Sequence, residues 1–190
     1  MKEKVLLLLS GGFDSAVAGK VLQDKGFEIH ALHFSYEPFT GKEPEHKAQK
    51  LCKKLKFKSF KIVNIGKKIE EISKKTEHKY YFVLTKRLML KLAEKEAKKI
   101  KAKFIGTGDN LAQVSSQTLD NLKIIDLATR LPVLRPLIAY EKQEIVDLAR
   151  DIGTYDISAG PETCDVLGPK HPTTRAELND ILEQEDKLSF

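Results

Sequence analysis

Apolar and polar positions follow two alternating periods along this chain. Val5 to Leu9 is an unbroken apolar run, the mark of a strand buried on both faces. Ala16 to Lys25 then places Val17, Val21 and Leu22 at helical spacing. Glu28 to Phe34 predicts a second strand and Tyr36 to Glu43 a loop. Pro44 and Glu45 open a helix in which Ala48, Leu51, Cys52 and Leu55 share one face. Ser59 to Asn64 is a third strand, followed by lysine-rich helical sequence. Tyr80 to Lys101 predicts one long helix, with Val83, Arg87, Leu90 and Glu94 on successive turns. Phe104 to Thr107 is a fourth strand that runs into Gly108-Asp109. Leu111 to Asn121 is polar and partly helical, and Ile124-Ile125 reads as a short strand. Leu131 to Ile138 is extended around its two prolines, Glu141 to Ile152 is helical and stops at Gly153, and a loop and a charged helix complete the chain.

Strands alternating with helices predict an α/β fold, a doubly wound parallel sheet with helices on both faces. The reading expects a single nucleotide-binding domain over residues 1–172, with 173–190 a helical tail of the same domain. Such sheets bind ligands at the carboxyl ends of their strands. Those of strands one, two and four carry Ser10–Ser15, His33-Phe34 and Gly106–Asn110.

The segment Ser10-Gly-Gly-Phe-Asp-Ser15 carries the most chemistry. Strand, glycine turn and helix form a phosphate-binding geometry. Gly11 and Gly12 let the backbone turn and approach an anion, and the N–H groups opening the helix point at it. Ser10 and Ser15 add hydroxyls. Asp14 repels phosphate unless Mg²⁺ or a donor intervenes, so it is the expected metal ligand. The loop is not a Walker A, because Gly19-Lys20 is followed by Val21, and it is not a G-x-G-x-x-G dinucleotide loop.

Composition narrows the classes. Apolar content of 41% and charge of 32% describe a globular chain. No apolar run reaches the length of a membrane span, and Met1 to Leu9 lacks the long apolar region of a signal peptide, so a cytoplasmic chain without membrane contact is expected. A net charge of +6 permits a polyanionic partner without demanding one. Two cysteines, Cys52 and Cys164, and five scattered histidines give no metal-ligand spacing. Cys52 sits on the apolar face of its helix and is expected in the core.

The hexapeptide resembles the SGGxDS loop of the PP-loop ATP pyrophosphatases. Four further segments, Gly106-Thr-Gly-Asp-Asn-Leu-Ala-Gln-Val-Ser-Ser-Gln-Thr118, Leu131-Pro-Val-Leu-Arg-Pro-Leu-Ile138 with Lys142, Glu144 and Ile145, Ile152-Gly-Thr-Tyr-Asp-Ile-Ser158, and Cys164-Asp-Val166, resemble motifs of the ThiI-type tRNA 4-thiouridine sulfurtransferases. The resemblance runs from about Lys4 to Pro172. It implies an ATP-dependent enzyme that uses ATP and Mg²⁺, adenylates O4 of tRNA uridine 8 with release of pyrophosphate, and exchanges AMP for sulfur, with a link to thiamine thiazole synthesis. It implies that Leu8, Leu9, His33 and Phe34 contact adenine, that Lys86, Arg87, Gly108 and Gln117 contact the nucleotide, that Asp14 is catalytic, and that Cys164 forms a disulfide during sulfur transfer. Its implied partners are tRNA, a separate THUMP-type protein, and a sulfur donor, either a cysteine desulfurase persulfide or sulfide, with a homodimer as one arrangement. Lys86-Arg87 stands where the family has Arg-Arg, and Asp109 where it has Glu. A PP-loop enzyme adenylating another acceptor, and a non-catalytic nucleotide-binding subunit, stay open beside this reading.

Overall fold

The computed structural model describes residues 2–111, 113–160 and 167–190. Its centre is a five-stranded, all-parallel sheet built from β1 (Lys4–Leu8), β2 (Glu28–Ser35), β3 (Ser59–Asn64), β4 (Phe104–Gly106) and β5 (Val133–Leu134), in the order β3-β2-β1-β4-β5. The register sets Leu7 beside Ala31 on one side and Gly106 on the other. The chain builds outward from β1 to β3, then returns across the sheet to β4. The crevice of a doubly wound sheet opens at that reversal, outside the carboxyl ends of β1 and β4.

Successive residues of a strand face opposite layers, so the apolar run after Lys4 supplies both cores. Val5, Leu7 and Leu9 pack with α1 (Phe13–Asp24), α2 (Glu43–Lys54) and α6 (Lys142–Asp151). Leu6 enters the opposite layer with α3 (Gly66–Lys75), α4 (Tyr81–Ile100), α5 (Leu119–Asp126) and α8 (Leu178–Glu185). A short α7 (Tyr155–Ser158) packs against α2 and α6.

Three boundaries depart from the sequence reading. α1 starts at Phe13 rather than Ala16, so Asp14 and Ser15 lie in its first turn and Gly12 is its N-cap. Tyr80 belongs to a 3-10 turn ahead of α4, and Lys101 closes that helix in the left-handed region at φ 58°. Ile124-Ile125 is not a strand but part of α5. Thr118 caps that helix by accepting the Asn121 N–H, and Leu122, Ile124 and Ile125 are all buried. A two-residue β-branched run does not define a period, and the capping threonine decides the outcome.

Candidate active site

A cavity of about 880 Å³ opens at the carboxyl ends of β1, β2 and β4. Its floor is the loop between β1 and α1. Gly11 turns at φ +100°, and a Cβ there would meet the Pro44 carbonyl at 3.0 Å and the Lys47 Cβ at 3.2 Å, so only glycine lets α2 close over the loop. The two hydroxyls serve the loop itself. Ser15 Oγ accepts the Ser10 N–H at 3.1 Å and lies 3.2 Å from the Gly12 carbonyl, to which it donates, while Ser10 Oγ accepts the Gly12 N–H at 3.3 Å. They hold the turn in shape, a role the sequence reading assigned only to the glycines.

Asp14 stands in the first turn of α1, with Lys142 Nζ 3.9 Å from its Oδ1. Lys142 is the first residue of α6. A reciprocal capping box between Glu141 and Glu144 fixes that start, with the Glu141 N–H donating to Glu144 Oε2 at 2.7 Å, and fully buried Ile145 anchors the helix on α1. The Lys-x-Glu-Ile sequence therefore divides into a cavity cation, a cap and an anchor. The place of Lys142 beside Asp14 shows only in the fold, since the two are far apart in the sequence.

Leu8, Leu9, His33 and Phe34 all line the cavity. His33 Nδ1 donates to the Leu9 carbonyl at 2.8 Å, tying the end of β2 to that of β1. Because a carbonyl only accepts, Nδ1 carries the proton and Nε2 keeps a lone pair. Burial lowers the His33 pKa against the opposing effects of that hydrogen bond and of Glu45, and the ring is neutral at pH 7. Gly108 packs on the other side. A Cβ there would fall 2.6 Å from the Ser15 nitrogen and 2.7 Å from the Asp14 carbonyl carbon, so the β4 loop and the phosphate loop share one wall.

The adjacent basic residues Lys86 and Arg87 part company. Lys86 faces the cavity and meets Asp109 Oδ1 at 2.5 Å. Arg87 does not line it. Its guanidinium is buried, bonded to Glu185 and to the Ile124 carbonyl. Of the two, Lys86 alone lines the cavity, because a step of about 100° around the helix turns its neighbour into the core.

Asp109 gathers a polar corner that sequence reasoning missed. Its carboxylate also accepts from the Thr107 hydroxyl at 2.9 Å, Arg135 Nε at 3.1 Å and Gln117 Nε2 at 3.5 Å. Burial opposes ionisation, but the Lys86 ammonium, then Arg135 and Thr107, outweigh it and hold the carboxyl far below the usual carboxylate range. Arg135 extends the corner to both oxygens of Asp126, at 2.9 and 2.6 Å. Gln117 lines the cavity from a 3-10 turn, Ser115–Gln117, held by fully buried Asn121, whose Nδ2 donates to the Ser115 and Thr173 carbonyls and whose Oδ1 accepts the Ala176 N–H. The signal for this corner was the Arg135 of the proline-flanked motif, an arginine in a segment otherwise apolar.

Cys164 lies outside the described residues. Cys52 is buried as expected, and burial pushes its thiol pKa up. Among the described residues no group of three or more His, Cys, Asp or Glu side chains could hold a metal, and no helix is long and apolar enough to cross a membrane.

A parallel sheet in this order, with a Ser-Gly-Gly-x-Asp-Ser loop at its reversal, defines the adenine nucleotide α-hydrolase class of PP-loop folds. The NH3-dependent NAD synthetase of Campylobacter jejuni shares it at a TM-score of 0.61 and 20% identity over 82% of this chain and 66% of that one, a likeness of fold alone. The chain belongs to the ThiI family: the family described as "Thiamine biosynthesis protein (ThiI)" matches residues 1–190. The probable tRNA sulfurtransferase of Halothermothrix orenii is 41% identical over 97% of this chain and 48% of its own length. That of Moorella thermoacetica is 40% identical over 97% of this chain and 49% of its own. A crystal structure described as a 4-thiouridine synthetase–RNA complex with bound ATP superposes at a TM-score of 0.93, with 37% identity over 98% of this chain and 50% of that one. The chain thus spans about half the length of the curated relatives it matches.

Proposed function

We propose that this chain binds ATP across the ends of β1, β2 and β4 and adenylates O4 of a tRNA uridine, that at position 8, for replacement by sulfur. The observation that carries the reading is the Asp14–Lys142 pair beside the glycine loop, in a chain 37% identical to a synthetase solved with ATP. The loop's N–H groups and the start of α1 receive phosphate, and Lys142, beside Asp14, brings positive charge to that loop. The uridine O4 attacks the α-phosphorus, the α–β bridging bond breaks, and pyrophosphate leaves. The outer sulfur of the donor persulfide then adds at C4 and the C4–O bond breaks, releasing AMP. The Cys164 thiolate attacks the donor's inner sulfur, the S–S bond to the outer sulfur breaks, and 4-thiouridine leaves with a donor–Cys164 disulfide formed. A carbonyl oxygen leaves poorly until it carries AMP, which is why the two steps come in that order.

One carboxylate plus nucleotide phosphates suits Mg²⁺, which keeps most of its waters. Asp14 is the residue that would hold it, and the ion would neutralise phosphate charge. Placement of tRNA draws on a THUMP-type module, in keeping with relatives twice this length and with a net charge of only +6 here, which gives weak and salt-sensitive attraction to RNA. The Cys-x-Val match at Cys164 supports it as the sulfur-handling thiol.

The test is ATP-dependent thiolation of tRNA with a cysteine desulfurase system and a THUMP-type protein, read by nucleoside mass spectrometry. 4-Thiouridine should form with the wild-type chain and not with Cys164→Ser. No thiolation, with pyrophosphate release triggered by a small molecule instead, would transfer the reading to another acceptor. Wild-type thiolation by Cys164→Ser would leave sulfide as the donor.

A further inference from the structure

Gln117 is 9% exposed, and its side-chain oxygen is buried with no hydrogen-bond partner among the described residues. Leaving such an acceptor unmet costs its full desolvation, so a cavity-lining residue in this state points to a ligand that meets it. Its polarity is fixed from behind. Asp109 is ionised and can only accept hydrogen bonds, so Gln117 must turn its NH2 group toward Asp109 Oδ1, and Nε2 stands 3.5 Å from it. The flipped amide would set oxygen against carboxylate. Asp109 cannot rotate to permit this, because Lys86 holds one oxygen at 2.5 Å, and Thr107 and Arg135 hold the other at 2.9 and 3.1 Å.

We propose that Asp109 is a positioning residue that locks the Gln117 amide, so that its oxygen accepts from an N–H or O–H donor on the bound nucleotide. This rests on reading the cavity as a nucleotide site. Phosphate oxygens only accept, so the Gln117 oxygen cannot serve them and belongs to the base or ribose end of the ligand. Lys86 and Arg135 are balanced by Asp109 and Asp126, so the corner carries no net charge that would draw a phosphate to Gln117. Two donors on the nucleotide meet that requirement, the exocyclic amine of adenine and a ribose hydroxyl.

The experiment measures dissociation constants by calorimetry for ATP, ITP, 2′-deoxyATP and 3′-deoxyATP on the 190-residue chain and its variants. Wild-type protein should prefer ATP by roughly tenfold over whichever analogue lacks the donor, the worth of one buried hydrogen bond. ITP identifies the amine and the deoxy compounds the hydroxyl. Asp109→Asn, whose amide presents either polarity, lets Gln117 flip and should shrink that preference to within about threefold, whereas Asp109→Glu keeps an acceptor-only group and should retain it. Should Asp109→Asn fail to fold, Gln117→Met must abolish the preference. Undiminished preference in Asp109→Asn or Gln117→Met, or equal affinity of the wild type for all four nucleotides, overturns the proposal. Failure of the wild type to bind any of them overturns the nucleotide reading itself, and this inference with it.

Discussion

Arg87 and Glu185 form a two-pronged ion pair between α4 and α8, with Nε 2.9 Å from Oε1 and the second guanidinium nitrogen 3.0 Å from Oε2. Arg87 is 3% exposed, and a third donor satisfies the Ile124 carbonyl at 2.6 Å. Removing one partner of a buried pair leaves the other charge stranded. Lys91, 2.8 Å from Glu185, softens that loss. Arg87→Ala should therefore lower stability by about 3 kcal/mol in chemical denaturation. In the fraction that stays folded, ATP affinity should be near wild type, whereas Lys86→Ala should lower affinity as well as stability, because it leaves buried Asp109 with Arg135 as its one cation.

Asp14 and Lys142 should behave as one catalytic unit. Asp14→Ala and Lys142→Ala should each slow pyrophosphate release by at least about 100-fold with the fold intact by circular dichroism. The double variant should be little slower than either single one, because residues that act together are not additive. Wild-type turnover in Asp14→Ala would remove Asp14 from the mechanism.

Gly108→Ala places a methyl group 2.6 Å from the Ser15 nitrogen, where backbone rather than a flexible side chain must move. The expected cost is about 1–3 kcal/mol. Because the displaced atoms begin α1, ATP affinity should fall along with the melting temperature. An alanine variant with unchanged affinity would show that the two loops do not share a wall in solution.

Acid should destabilise the fold in two separable stages. Burial lowers the His33 pKa below the ordinary 6.5, so the unfolded chain takes up that proton first. Stability then falls as pH drops below 6.5. Lys98, then the Arg130 N–H and the Thr129 hydroxyl, hold Glu94 at about 2 against an ordinary 4.5. Its contribution is present above pH 4.5 and is lost as pH falls toward 2. Denaturation series across pH should show His33→Gln flattening the first stage and Glu94→Gln the second. Unchanged slopes in either variant would assign that stage to other groups.

The sheet, its flanking helices and the phosphate loop were legible because each rests on local signals: apolar runs, glycine pairs and helical spacing. Arg87 carries a signal that its sequence position does show. Val83, Arg87, Leu90 and Glu94 share a stripe, and a charge inside an apolar stripe faces the core with a partner. That partner, Glu185, lies at the far end of the sequence, and no local pattern could name it. Lys142 and Asp109 stood in motifs that the sequence showed, but their partners did not: Asp14, Lys86 and Arg135 meet them across long separations. Ile124-Ile125 failed differently, because two residues are too few to tell period 2 from period 3.6.

The hydrogen bonds of Asn121 bear on where this polypeptide can be shortened. One amide reaches back to the turn that carries Gln117 and forward to Thr173 and Ala176, while Tyr80 bonds to Asp180 and the Glu77 backbone to Gln184. A polypeptide trimmed at Pro172 would keep every strand and the whole glycine loop from Ser10 to Ser15. It would also expose a ready-made donor and acceptor at Asn121 and an unpaired guanidinium at Arg87, both touching the wall of the cavity through their immediate neighbours. Trimming the last eighteen residues is therefore an operation on the ligand site, carried out from its outer side.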